Sequence, residues 1–278
     1  MCQLLCMNCV TPTDITFSFT GFSAHGGKTA QHADGFGLAF FEDKACRLFI
    51  DDASSATSPI AELVKRYPIK SKNVIAHIRK ATQGSIGLEN THPFMRELWG
   101  RHWIFALNGD LQEFQPRLTG LYHPVGDTDS EAAFCMLLQG LRKRFPCSQT
   151  PLPELFHTIE EITREISRYG IFNFLLSNGQ ALFAFCSTNL YYIVRQWPFS
   201  IARLLDTEVE IDFSQTNVEN DRVSVIATMP LTSNETWTQF EAGQLLMFQD
   251  GRPVRESMIE IPEAVKKRND EQQAPVGV

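Results

Sequence analysis

Two consecutive amphipathic helices in the middle of the chain, with strand-like segments on both sides of them, constrain the fold most. Residues 128–145 and 152–169 carry apolar side chains at helical spacing. Short apolar or β-branched segments, typical of strands, lie at 3–7, 37–42, 46–51, 73–78, 103–107, 172–176, 181–186, 191–195, 209–213, 223–228 and 244–248. Because these strands are apolar on both faces, we expect two sheets packed face to face, with helices outside.

The connecting segments predict further features. Shorter helices are expected at 13–22 and 59–67, and 79–100 is expected to be a long loop of the kind that often carries function. Asn108-Gly109 is interpreted as a turn after a strand. Thr128 followed by Glu131 predicts a capping box at a helix start. Residues 2–255 are expected to form one domain, and the charged, Gln-rich segment 256–278 to be loosely ordered.

The second residue of the chain offers unusual chemistry. If Met1 is removed, Cys2 carries both a thiol and a free α-amine. The reference pKa of an α-amine is about 7.7–8.0 and that of a thiol about 8.5. Near neutral pH the amine can therefore accept the thiol proton, so one residue would supply both nucleophile and base.

Composition excludes several classes of function. The net charge is −7, with no basic stripe that would follow a nucleic acid backbone. No apolar stretch reaches the roughly 20 residues of a membrane helix, and the N-terminus lacks the features of a signal peptide. We therefore expect a cytoplasmic protein, with neither nucleic acid nor a membrane as partner. The 7 cysteines are expected to be free thiols.

Several motifs, taken together and in this order, resemble the class II, or N-terminal nucleophile, glutamine amidotransferases. They are Cys2, Arg79-Lys80-Ala81-Thr82, Asn108-Gly109 and Thr128-Asp129-Ser130-Glu131. The likeness is greatest to the stand-alone YafJ-like members, through Asp34-Gly35-Phe36-Gly37, Glu89-Asn90-Thr91-His92-Pro93-Phe94 and Pro230-Leu231-Thr232 with Asn234-Glu235-Thr236-Trp237. The resemblance implies an α+β fold, a four-layer αββα sandwich of mainly antiparallel sheets, which agrees with the layers expected above.

The resemblance also implies roles for individual residues. Cys2 would attack the γ-amide of glutamine, giving a γ-glutamyl thioester and ammonia, and then glutamate. Asn108 and Gly109 would form the oxyanion hole. Arg79 and Thr82 would hold the substrate α-carboxylate, Asp129 would hold the α-ammonium, and His92 would contact the substrate or order its loop. No cofactor and no metal are expected.

The sequence departs from the family pattern at two positions. Many members have an aromatic residue after the arginine and a histidine after the threonine, where this chain has Lys80 and Gln83. The departures bear on the loop that closes over the substrate. The chain also shows no synthase or transferase domain, so the ammonia would go to a separate acceptor enzyme, or the protein would simply hydrolyse another γ-glutamyl amide or peptide. A homodimer stays open.

Two other classes of function compete with this interpretation. Cys2, Cys6 and Cys9 have the spacing of an iron–sulfur site. A non-catalytic binding module that retains the fold is the second, and intact Met1 would be its signature. His25 and His32 flank a glycine-containing loop without a third metal ligand at a suitable spacing, and both are expected to be surface residues.

Overall fold

The structure is a computed structural model that describes residues 2–26, 34–67, 69–81, 84–147 and 150–273. Its strands are β1 (Gln3–Thr13), β2 (Phe36–Glu42), β3 (Ala45–Asp51), β4 (Ser71–Ile78), β5 (Phe94–Leu98), β6 (Arg101–Leu111), β7 (Gly170–Ser177), β8 (Leu182–Phe185), β9 (Tyr191–Gln196), β10 (Ile201–Arg203), β11 (Glu210–Asp212), β12 (Arg222–Ala227), β13 (Thr238–Gln239), β14 (Gln244–Gln249) and β15 (Arg252–Met258). Its helices are α1 (Thr16–Ala24), α2 (Pro59–Arg66), α3 (Asp129–Arg144), α4 (Leu152–Ile166) and α5 (Glu263–Gln273).

Two antiparallel sheets form the centre of the molecule. The first sheet has seven strands in the order β13-β9-β12-β1-β4-β2-β3, and the second has six in the order β15-β14-β8-β7-β6-β5. The N-terminal strand β1 lies inside the first sheet, between β12 and β4. A strand in this position is paired on both edges, so the start of the chain is held firmly.

Three layers of buried side chains account for the sandwich. A central layer lies between the sheets and includes Leu4, Ile75 and Ala106. One outer layer packs α1 and α2 onto the first sheet, and the other packs α3 and α4 onto the second sheet. Each sheet is therefore apolar on both faces, and the predicted αββα architecture is confirmed.

Strand β1 is longer than predicted. The sequence predicts a strand over 3–7, but pairing continues to Cys9↔Val223 on one side and Thr13↔Ser71 on the other. The polar Asn8 is tolerated inside the sheet because its amide donates to Asn73 and accepts from the amide of Gly251, at 2.7 and 2.8 Å. These partners are distant in sequence, so the local pattern could not reveal them.

The region 79–100, predicted as one long loop, contains β5 and a short 3-10 helix, Leu88–Asn90. That prediction is wrong because β5 depends on a partner: it pairs along β6 from Phe94↔Phe105 to Leu98↔Arg101. Arg96 of β5 also forms an ion pair with Glu131, which is buried in the first turn of α3.

Two further placements concern single residues and the end of the chain. His25 was expected at the surface, but it is buried and its Nε2 lies 2.6 Å from Asp206 Oδ2; His32 lies outside the described residues. The segment expected to be loose from 256 on contains the end of β15 and helix α5, with Val265 buried. In the described part of the chain, no helix is long and apolar enough to cross a membrane.

Candidate active site

Cys2 lies directly before β1, at one end of the first sheet. Its sulfur is 3.3 Å from both the backbone nitrogen and the carbonyl oxygen of Lys80, just beyond the end of β4. The β1–β4 register, with Gln3 opposite Ile78, brings the two segments together. The thiol therefore lies beside the Arg79-Lys80 segment.

The backbone around Arg79 is fixed by the turn at Asp34-Gly35. The amide of Arg79 donates to the carbonyl of Gly35 at 2.8 Å, and the amide of Ala81 donates to Oδ2 of Asp34 at 2.8 Å. Gly35 has a φ of +111°, which favours glycine. The Asp34-Gly35 motif of the sequence thus holds, through these hydrogen bonds, the segment that contacts the thiol.

The electrostatics at Cys2 involve both charged residues that the sequence selected. Burial raises the pKa of the Cys2 thiol above its usual value, the bond to Lys80 and the charge of Arg79 lower it, and the Asp129 carboxylate raises it. The net effect is upward, so the thiol is protonated at neutral pH. Arg79 directly precedes the residue that contacts the sulfur, and the charge of Asp129 also reaches the thiol, so the three groups lie in the same region.

Asp129 is the first residue of α3 and is attached to β6. Its Oδ2 accepts a 2.7 Å hydrogen bond from the amide of Leu111, and its Oδ1 accepts one of 2.7 Å from the amide of Ser130. Burial, the largest influence, raises the pKa of this carboxyl, and the hydrogen bonds from the amides of Leu111 and Ser130 lower it. Hydrogen bonds from β6 and from the first turn of α3 thus fix the position of the carboxylate.

Asn108 and Gly109 lie inside β6, opposite Asn173 and Phe172 of β7. The prediction of a turn is therefore wrong: the strand continues because β7 pairs with it as far as Leu111. Asn108 is 2% exposed, and it lies on the same face of β6 as Ile104 and Ala106, which points toward the first sheet. Among the described residues, its Oδ1 has no hydrogen-bond partner.

Glycine is required at position 109 by the neighbouring strand. A Cβ there would be 2.1 Å from the carbonyl oxygen of Ile171 in β7. The missing side chain therefore leaves room for the β-ladder itself.

Comparison with known proteins identifies the family. The profile described as class-II glutamine amidotransferases matches residues 1–273. The protein YafJ of Escherichia coli (strain K12), itself named only as a proposed glutamine amidotransferase, is 51% identical over 254 residues, covering 91% of this chain and 100% of YafJ. This chain belongs to the class-II glutamine amidotransferases.

Solved structures agree with the family. A crystal structure of a predicted glutamine amidotransferase from Pseudomonas aeruginosa PA01 is similar at 42% identity and a TM-score of 0.73, covering 91% of this chain and 99% of that one. The glutamine phosphoribosylpyrophosphate amidotransferase of B. subtilis shares the fold, with 15% identity and a TM-score of 0.55 over 94% of this chain and 50% of that one. The chain therefore has the N-terminal nucleophile hydrolase fold.

His92 is buried in the interior of the molecule, between β4 and β5. Its ring centroid is 4.3 Å from that of His77 and 4.4 Å from that of Phe94. Burial lowers the pKa of His92 well below its usual value, and the nearby His77 and Arg79 act in the same direction. The imidazole is neutral, and its contact with substrate stays a prediction. Thr82 lies outside the described residues.

Asn90 is a structural residue of the site to which the sequence argument gave no role. It is fully buried, donates to Oδ1 of Asp127 at 2.7 Å and accepts from the amide of Asp127 at 3.0 Å. A Cβ on Gly126 would lie 2.0 Å from its Oδ1. Asn90 therefore attaches the loop after Arg79 to the turn that precedes Asp129. Its place in the quoted Glu89-Asn90-Thr91 motif was the available signal.

The predicted capping box is half formed. Oγ1 of Thr128 accepts from the amide of Glu131 at 3.3 Å, as expected. The Glu131 carboxylate does not return to Thr128, and its Oε2 accepts instead from the amides of Val125 and Gly126 at 2.9 and 2.8 Å. This carboxylate is drawn away by the ion pair with Arg96.

The three cysteines of the iron–sulfur alternative do not converge. Cys6 packs in the central layer between the sheets, whereas Cys9 packs in the outer layer beneath α1. The two sulfurs therefore lie on opposite faces of β1. Within the ranges that the structure describes, no group of three His, Cys, Asp or Glu side chains is arranged to hold a metal ion.

Proposed function

We propose that this chain is a glutaminase-type amidohydrolase in which Cys2 is the nucleophile. The observation that supports this most directly is the contact of the Cys2 thiol with Lys80, next to Arg79, at a place where the charges of Arg79 and Asp129 both influence that thiol. A guanidinium fork suits a carboxylate, and a carboxylate suits an ammonium. The pair would select the head group of a free amino acid next to a nucleophile.

The raised pKa of the thiol requires a base. In the proposed reaction, Met1 is removed and the α-amine of Cys2 accepts the thiol proton as sulfur attacks the γ-amide carbon. The tetrahedral oxyanion is stabilised by the Asn108 amide and the Gly109 N–H. The carbon–nitrogen bond breaks, the amine returns the proton to the leaving ammonia, and a γ-glutamyl thioester remains. Water then hydrolyses the thioester to glutamate and the free thiol.

The direct test is a release assay on protein whose N-terminal mass shows Cys2 as the first residue. Glutamine and a panel of γ-glutamyl amides and peptides are supplied, and glutamate and the released amine are measured. Turnover of glutamine supports the proposal. Turnover of another γ-glutamyl compound alone would select the alternative substrate within the same chemistry. No turnover with any of them, on correctly processed protein, contradicts the proposal, as would full activity in protein that retains Met1.

The pH dependence of turnover is the first prediction. Because the α-amine must be unprotonated to accept the thiol proton, kcat/KM is expected to rise about tenfold per pH unit below pH 7 and to level off above about pH 8. The measurement is kcat/KM for glutamine between pH 5.5 and 9.5 at constant ionic strength. A profile that is flat between pH 6 and 8 would argue against the amine as base.

Asp129→Asn is expected to raise KM for glutamine by about 10–100-fold and to lower kcat by less than tenfold. The ammonium contact exists in both the ground state and the transition state, so its loss weakens binding more than chemistry. Because burial raises the pKa of Asp129, the wild-type KM should also rise as the pH falls through that pKa. The variant should lack this acidic increase.

The matched control for this prediction is Asp43→Asn. Asp43 is an exposed turn residue with a φ of 55°, a conformation that Asn also accepts. Its KM and kcat should equal those of the wild type. An unchanged KM in Asp129→Asn would remove Asp129 from the binding site.

A further inference from the structure

His77 lies between the two halves of the proposed site. It is fully buried on β4, two residues before Arg79. On the first sheet it lies opposite Leu4 of β1, which is two residues after Cys2. Its side chain therefore lies on the same face of the sheet as Cys2 and Arg79, two residues along the chain from Arg79.

The His77 ring also reaches the second sheet. Its Nε2 is 3.1 Å from the carbonyl oxygen of Leu107 in β6, the residue that directly precedes Asn108. A carbonyl oxygen only accepts, so Nε2 carries the proton and donates it. The pairing of β5 with β6 ends at Phe94↔Phe105, and His77 contacts β6 just beyond that end.

The position of this hydrogen bond makes it relevant to catalysis. Another bond between the sheets, from the Asn73 amide to the carbonyl of Gly179, lies at the opposite end of the sandwich. At the end that holds Cys2, the oxyanion donors and the thiol are on different sheets. Their separation depends on how the sheets are joined there, and an error of about 1 Å in such a separation costs about 10²-fold in rate.

We propose that His77 is a positioning residue that sets the distance from the Cys2 thiol to the oxyanion hole, by donating from Nε2 to the carbonyl of Leu107. The neutral His92 ring, packed 4.3 Å away between centroids, keeps the His77 ring in this orientation. In this arrangement His77 acts through the carbonyl of Leu107 and the strands that the bond joins. The inference depends on the proposed function, since it gives Cys2 and Asn108 the roles stated there.

The test compares two substitutions. His77→Leu removes the donor, whereas His77→Gln places an amide N–H near the position of Nε2. With glutamine, or whichever γ-glutamyl compound the wild type turns over, His77→Leu should lower kcat by about 10–100-fold and change KM by less than threefold. His77→Gln should recover kcat to within about fivefold of the wild type. Ile75→Val, a buried control on the same face of β4, should retain the wild-type kcat.

Alkylation of Cys2 by iodoacetamide separates positioning from damage to the thiol, because this reaction forms no oxyanion. Its rate should be equal in the wild type and His77→Leu. A wild-type kcat in His77→Leu, or an equal loss in both His77 variants, would overturn the inference. If His77→Leu does not fold, His77→Gln decides: kcat within fivefold of the wild type supports the inference, and a larger loss contradicts it. Absence of turnover in the wild type would instead reject the proposed function.

Discussion

Cys2→Ala is expected to lower glutamine turnover by about 10⁴-fold or more, because it removes the atom that would form the thioester. The fold should persist, since Cys2 is only half-buried and precedes the first paired residue of β1. The free energy of unfolding should therefore change by less than about 1 kcal/mol. The measurements are steady-state turnover and mass spectrometry of a trapped γ-glutamyl thioester, which only the wild type should form.

Cys6→Ala is the control for this substitution. Cys6 is fully buried in the central layer, two residues after Leu4 on the same strand. Its loss should cost about 1 kcal/mol of stability, through the lost packing, and leave kcat near that of the wild type. Loss of activity in both variants would favour a role for several thiols, and retained turnover in Cys2→Ala would refute the assignment of the nucleophile.

Gly109→Ala should have the second largest effect. The added methyl group would lie 2.1 Å from the carbonyl oxygen of Ile171, so β6 and β7 must separate locally. Overpacking of this kind costs about 1–3 kcal/mol. Displacing one oxyanion donor costs about 10²–10³ in kcat. Tm and kcat should therefore both fall, while the Kd for glutamate, the product, changes little.

Gly140→Ala is the matched control for the added methyl group. Gly140 lies inside α3, and its Cβ would meet the flexible end of Ile162. Alanine stabilises a helix interior by about 1 kcal/mol relative to glycine, and this offsets the free-energy cost of repacking Ile162. Turnover should stay at the wild-type level. A Gly109→Ala variant as active as this control would show that Gly109 N–H is not an oxyanion donor.

The general architecture could be read from the sequence because it depends on local patterns. The helices α2 and α3 start directly after Ser58 and Thr128, whose side chains cap them, and the cap at Thr128 is the one that the sequence predicts. The hairpin β2–β3 turns at Asp43, whose φ is 55°. Capping, turns and hydrophobic periodicity act over a few residues, so they were recognisable without knowledge of any partner.

The features that the sequence mispredicted depend on partners that are distant along the chain. Strand β5 exists because β6 pairs with it, and β1 extends because Asn8 finds Asn73 and Gly251. The burial of His25 depends on Asp206, which is far away in sequence. From the local sequence, a polar residue in such a position is predicted to lie in a loop, because the distant partner that allows its burial cannot be recognised.

The same division applies to the candidate site. The sequence alone determined which chemical groups are available: a thiol at position 2, a guanidinium at Arg79, a carboxylate at Asp129 and the pair Asn108-Gly109. Only the tertiary structure decided that the thiol lies against Lys80, within reach of the charges of Arg79 and Asp129, and that His77 joins the two sheets there. The physical reason is that side-chain chemistry is a property of each residue, whereas distances between strands are set by packing of the whole sandwich.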